Sequence, residues 1–265
     1  MKRVVLLMVM VFISVMTFAQ DASELMTQAN AAVESKDFEK AIELFESVLA
    51  IPDHGQNVDN INAVLGQLRP AVAKTKASDA VDSKEYDKAI ALYKAAIADY
   101  PNEGIEEQAG KIFYNEGIKS YKGENFVEAA NCFAISQNDF NYDKAEKYKS
   151  ASLKKAAEAL VAEGKSSVEG VAVSEKNKAE LVENIAKVYF SQGYDKYQEG
   201  AATIKSATES VNSGSITTLD DEYKNAVAAG KKSFEQAIPF LKKALELDPN
   251  NANAKKVLAA CEQSL

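Results

Sequence analysis

Four times along this chain an aromatic residue is followed by Ala three positions on, by a bulky apolar residue four further, and by a small or apolar residue three beyond that. The copies are Phe38-Ala41-Phe45-Val48, Tyr86-Ala89-Tyr93-Ala96, Phe126-Ala129-Phe133-Ser136 and Phe234-Ala237-Leu241-Ala244. Steps of three and four put all four residues of a copy on one face of a helix. A helical unit with a single apolar face cannot bury it alone, so its recurrence points to units stacked on one another. Proline follows three of the copies, as Pro52, Pro101 and Pro249. Its missing N–H and its ring end a helix there.

A partner helix is written before each of the first three copies. Ala29, Ala77 and Gly117 stand twelve positions ahead of Ala41, Ala89 and Ala129, and small residues at those points let two antiparallel helices approach closely. The pattern resembles the tetratricopeptide repeat, a helix-turn-helix unit of about 34 residues. Its clearest matches are Ala77…Tyr86-x-x-Ala89-x-x-x-Tyr93-x-x-Ala96-x-x-x-x-Pro101 and Phe234-x-x-Ala237-x-x-x-Leu241-x-x-Ala244-x-x-x-x-Pro249. The resemblance implies an all-α solenoid of helical hairpins, wound as a right-handed superhelix, with elongated helices and a C-terminal capping helix.

Spacing departs from the family. The central alanines at 41, 89, 129 and 237 are separated by 48, 40 and 108 positions, so extra residues must lengthen helices, add helices or form loops. A second echo locates the largest insertion: Phe113-Tyr114-x-x-Gly117-Ile118-x-x-Tyr121 recurs 76 positions later as Tyr189-Phe190-x-x-Gly193-Tyr194-x-x-Tyr197. The last unit is therefore split, with a first helix near 178–206 and a second near 219–247. Asn212-Ser-Gly-Ser-Ile-Thr-Thr lies between them, and Thr218-x-x-Asp221 has the form of a capping box.

Tyr148, Leu153, Ala156, Ala157, Leu160 and Val161 read as a further helix over 142–163, followed by a Gly- and Ser-containing loop through Glu175. Asn250-Asn251 can cap a final helix with Val257, Leu258 and Cys261 turned inward, covering the last apolar face as the end of a repeat array requires. The expected layout is a signal peptide over 1–20 and a single repeat domain over 21–265. Within that domain the units are 22–54, 57–103, 107–140, a helical insertion over 142–176, a split unit over 178–249 and a cap over 251–265.

The signal peptide is read from Lys2-Arg3 before the apolar run Val4–Phe18, closing on Thr17-Phe18-Ala19-Gln20. That run is shorter than the roughly 20 residues a spanning helix needs, and no cysteine follows it to carry a lipid. Export to the periplasm or medium is the expectation, with an uncleaved membrane anchor as the alternative. Without Lys2 and Arg3 the chain keeps 29 basic against 39 acidic residues, a net charge of −10, which disfavours nucleic-acid partners. Cys132 and Cys261 lie 129 positions apart on different expected helices and read as small buried side chains, with a bridge between them, open to an exported protein, as the alternative.

Catalytic chemistry finds little support. Activating a Ser or Cys nucleophile commonly takes a positioned His, and the one histidine, His54, stands in the turn Pro52-Asp-His-Gly-Gln-Asn. Asp220-Asp221-Glu222 opens a helix, where its charge meets the positive end of the dipole. No ligand cluster for a metal and no phosphate-binding loop is present, so neither an enzyme nor a cofactor is expected.

Binding is the remaining class. Placed by the resemblance, Tyr114, Ile118, Tyr121, Phe190, Tyr194 and Tyr197 face the concave groove in which such repeats hold a protein or peptide partner. The corresponding earlier positions, Met26, Asn30 and Val33, then Lys74, Ser78 and Val81, carry no aromatics. Two readings of the six stay open: they line a groove for a partner, or they pack neighbouring helices. A helical receptor for a small molecule or glycan and a membrane-anchored envelope assembly factor are the competing functions.

Overall fold

The computed structural model describes residues 22–52 and 54–265, so the expected signal peptide lies outside the described residues. Among them are ten helices and no strand: α1 (Ala22–Glu34), α2 (Phe38–Leu49), α3 (Val58–Asp82), α4 (Tyr86–Asp99), α5 (Ile105–Lys122), α6 (Phe126–Phe140), α7 (Ala145–Ala162), α8 (Glu175–Asn212), α9 (Asp221–Leu247) and α10 (Ala252–Ser264). The chain forms two compact units, one up to Ala109 and one over Gly110–Leu265. All-helical architecture built from hairpins is what the repeat demanded.

Within the first unit, α1 and α2 close on Ala29 and Ala41, both fully buried, with Phe45 and Val48 beside them. α3 then supplies Ile61 and Leu65 to the same core. The 48-residue step is absorbed by α3 itself, which begins 19 residues before Ala77 and runs through Pro70 as one helix. α3 and α4 close in turn on Ala77, Ala89, Tyr93 and Ala96, all buried. Burial pushes the Tyr93 phenol up to about 12, against a smaller lowering by its hydrogen bond with Ser78.

The same turn joins three hairpins. Lys36 N–H donates to the Val33 carbonyl (3.0 Å) and Asp37 N–H to that of Ala32 (2.9 Å). Lys84 and Glu85, and then Glu124 and Asn125, repeat the two bonds. This is the Schellman closure of a helix, whose turning residue takes the left-handed conformation. Here φ is 62° at Lys36, 59° at Lys84 and 62° at Glu124.

In the second unit, Gly117 faces the ring of Phe133 across α5 and α6. Ser136 Oγ donates to the Gly110 carbonyl at 2.7 Å, satisfying a buried hydroxyl at the position where other copies carry an apolar side chain. α7 is the added helix, and its Leu153, Ala156, Ala157 and Leu160 share a core with Leu181, Ile185 and Tyr189 of α8. Asn131 ties down the loop that follows α7. Its Nδ2 donates to the Ala172 carbonyl (2.9 Å) while its Oδ1 accepts from Ser174 N–H (2.9 Å).

α8 and α9 form the split unit. Gly193 and Ala237 are 44 positions apart where the other hairpins have twelve, and the surplus lengthens both helices instead of making one long loop. Beyond Gly200 and before Gly230 they continue as a two-helix arm whose seam is Ile204, Ala207, Tyr223, Ala226 and Val227, with only Ala207 fully covered. The expected Thr218 capping box does not form. Asp220 is the N-cap, and its Oδ2 accepts backward from Thr217 N–H at 2.6 Å. α10 closes the array as expected: Asn251 Oδ1 caps it from Ala254 N–H at 3.0 Å, and Val257 and Cys261 are buried.

Candidate interaction surface

Phe190, Tyr194 and Tyr197 stand at i, i+4 and i+7 of α8 and form a ladder along it. Ring centroids are 5.8 Å apart for Phe190–Tyr194 and 6.2 Å for Tyr194–Tyr197, with interplanar angles of 19° and 27°. Tyr197 continues onto Phe234 of α9 at 5.6 Å. The ladder flanks the seam where Gly193 and Gly200 let α9 approach, so the backbone carrying the rings is fixed by close helix packing. Tyr194 keeps 37% of its surface exposed, while Phe190 and Tyr197 are half-buried.

These rings line one wall of a cavity of about 530 Å³, whose other wall is Asn253, Lys256, Val257 and Ala260 of α10. The α10 residues also follow helical spacing, at i, i+3, i+4 and i+7. Of the seven lining residues Lys256 alone is charged, and it makes no salt bridge among the described residues. The site therefore combines stacked aromatic surface, a short apolar floor and a single free cation.

The other three candidates lie in a different group. Tyr114, Ile118 and Tyr121 pack, half-buried, against Ala129, Phe133 and Ala145. Tyr114 touches Phe133 (5.6 Å), Tyr142 (5.5 Å) and Tyr148 (5.5 Å), and Tyr121 meets Phe126 edge-on at 5.3 Å. Burial raises the Tyr114 phenol, and its hydrogen bond with Tyr148 adds to the shift. Ala145 and Tyr148 belong to α7, the inserted helix, so this stretch of α5 is covered by residues the basic repeat would not supply.

Of the earlier positions, Met26 and Val33 pack half-buried on the first core, Asn30 is exposed and Val81 is buried. Asn253, Lys256 and Ala260 carry no site signal in the sequence, where Val257 reads only as an inward residue of the capping helix. His54 sits in its turn, where Nδ1 accepts from Gln56 N–H at 3.0 Å. Cys132 and Cys261 are buried and not joined by a disulfide, and burial, then the charge of Glu262, pushes the Cys261 thiol up. No group of three or more His, Cys, Asp or Glu side chains that could hold a metal occurs among the described residues.

The repeat geometry can be set beside known proteins. Residues 226–251, which carry the Phe234-Ala237-Leu241-Ala244 copy and Pro249, match the tetratricopeptide repeat family. The match covers one repeat of this chain. A solved structure, a tetratricopeptide-repeats protein from Bacteroides fragilis, was also found similar. That protein shares 16% identity over 93% of this chain and 100% of its own, with a TM-score of 0.31. No curated protein matches the chain. Among the described residues no helix is long and apolar enough to cross a membrane.

Proposed function

We propose that this chain is an exported, non-catalytic scaffold of tetratricopeptide-like repeats that binds a protein or peptide partner, with the α8 ladder and the α10 wall as its contact surface. One observation carries the reading: three aromatic rings on a rigid helix line a cavity and are only partly covered. Tyrosine offers a large apolar body with a hydroxyl that stays hydrogen-bonded, which is why it dominates many interfaces. Tyr114, Ile118 and Tyr121 then serve mainly to hold α5, α6 and α7 together. Export rests on the charge and length pattern of residues 1–20.

A second reading draws on the same rings. Nearly parallel aromatic faces beside a cavity of about 530 Å³ also suit a planar or glycan ligand, and pockets for small molecules fall in that size range. Immobilised wild-type protein and Tyr194→Ser, incubated with envelope extract of the source cells, test the first reading. A protein retained by the wild type and lost from an equally stable variant supports it, and identical retention by both refutes it. Thermal shift against a glycan panel, lost in the same variant, would favour the receptor.

A further inference from the structure

The arm formed by the ends of α8 and α9 carries an unusual tip. Leu219 is 78% exposed, the most exposed large apolar side chain among the described residues. Three acids follow it directly, Asp220, Asp221 and Glu222, all exposed. Asp221 is essentially bare, its side chain 96% exposed and its nearest cation, Lys224, 3.9 Å away. A lone exposed leucine is ordinary, but this one is followed by three exposed acids, so the tip offers an apolar contact with negative charge beside it, and burial against a partner would stabilise it.

The cavity between α8 and α10 is the converse of that tip. It offers aromatic and apolar walls for one side chain and a single free cation, Lys256, with exposed Lys255 beside it on the same helix. We infer that the occupant of this cavity is a second copy of the chain, with Leu219 between the rings of Phe190, Tyr194 and Tyr197 and the Asp220–Glu222 acids against Lys256. This rests on the reading of the cavity as a protein-binding site and names its partner.

The contact must form between molecules. From Tyr197 to the end of α8 at Asn212 are fifteen residues of helix, about 22 Å at 1.5 Å per residue, so the tip points away from its own cavity. Donor and acceptor surfaces differ, so the contact is either exchanged reciprocally in a two-fold dimer or runs head-to-tail, closing into a ring or extending as a chain. Charge complementarity of this kind also makes the contact salt-sensitive.

Sedimentation velocity of the purified protein across concentration tests this directly. Reversible association is expected, weakened by salt and at least tenfold weaker in Leu219→Ser and in Lys256→Glu. Combining Lys256→Glu with Asp221→Lys should restore it. Leu219, Asp221 and Lys256 are all exposed, so these variants should melt with the parent. A wild type that stays monomeric at all concentrations overturns the inference, as does association that either single substitution leaves unchanged. If the protein is monomeric while Tyr194→Ser still loses an extract partner, the self-contact alone is wrong. If Tyr194→Ser changes neither association nor retention, the cavity reading falls with it.

Discussion

Gly193 and Leu241 meet where α8 and α9 cross: a Cβ on the glycine would stand 2.7 Å from Leu241 Cγ and 3.2 Å from the carbonyl oxygen of Ala237. The third hairpin repeats the arrangement, since a Cβ on Gly117 would stand 2.7 Å from the Phe133 ring. Leu241 and Phe133 each lie four residues after their central alanine. The two hairpins thus share one contact even though 32 more residues separate the halves of the second.

Gly193→Ala should therefore destabilise the protein. Overpacking a tight contact costs roughly 1 to 3 kcal/mol, while Ala gains about 1 kcal/mol over Gly in helix propensity, leaving a net loss of up to about 2 kcal/mol. Gly66→Ala in α3 is the control, because nothing lies within 4 Å of the added Cβ. It should gain roughly 0.5 to 1 kcal/mol. Thermal or urea melts that show the same sign for both substitutions would contradict the contact.

The central alanines make a stronger case. Ala89 and Ala237 have no exposed surface, and aspartate at either would bury a carboxylate between two helices. Ala89→Asp and Ala237→Asp should each cost several kcal/mol or abolish folding. Variants that melt like the parent would show the register to be misplaced.

How much of this could be read in the sequence follows from what repeats. The faces through Ala41, Ala89, Ala129 and Ala237 recur, so the hairpins and their close contacts were legible. Insertions do not recur, yet most of the split unit's surplus was legible as helix over 178–206 and 219–247, and α8 runs past 206 to Asn212. The arm beyond Gly200 is helical on both sides because Gly200 and Gly230 allow backbone contact, a Cβ on Gly200 falling 2.6 Å from the Gly230 carbonyl oxygen. By contrast, the order of residues does not say that α7 would bring Ala145 and Tyr148 onto Tyr114. Asn253 to Ala260 had the spacing of a lining face, but an end helix with buried Val257 and Cys261 reads first as a cover.

The turns between hairpins offer a stabilising change. Lys84 and Glu124 adopt φ near 60°, where a side chain costs roughly 1 kcal/mol that glycine avoids. Lys84→Gly and Glu124→Gly should raise stability by up to about 1 kcal/mol. A drop in either melting temperature would mean the side chain makes a contact worth more than the strain.

Alkaline pH should act on Tyr93. Its phenol is held up to about 12 by burial, whereas in the unfolded chain it ionises near 10. The neutral form favoured by folding contributes stability that is complete below about pH 10 and is lost as pH rises toward 12. Melts of wild type and Tyr93→Phe should therefore converge or cross across that window, the variant falling less steeply. Parallel curves from pH 9 to 12 would remove Tyr93 as the cause.

The two aromatic groups should respond oppositely to the same substitution. Tyr114 has ring contacts with Phe133, Tyr142 and Tyr148, so Tyr114→Ser removes packing against α6, α7 and the loop between them and should cost roughly 1 to 3 kcal/mol. Tyr194 is exposed on one side and stacks only on its helical neighbours Phe190 and Tyr197, so Tyr194→Ser should alter stability by about 0.5 kcal/mol or less. An interface hot spot is worth about 2 kcal/mol or more in affinity, some thirtyfold, and that loss should fall on Tyr194. Melting both variants beside the parent checks the first half without any partner. A large stability loss at Tyr194 would place the ladder in the core and take away its availability to a partner, whereas an unchanged Tyr114 variant would mean that the α7 contacts do not hold α5 in place.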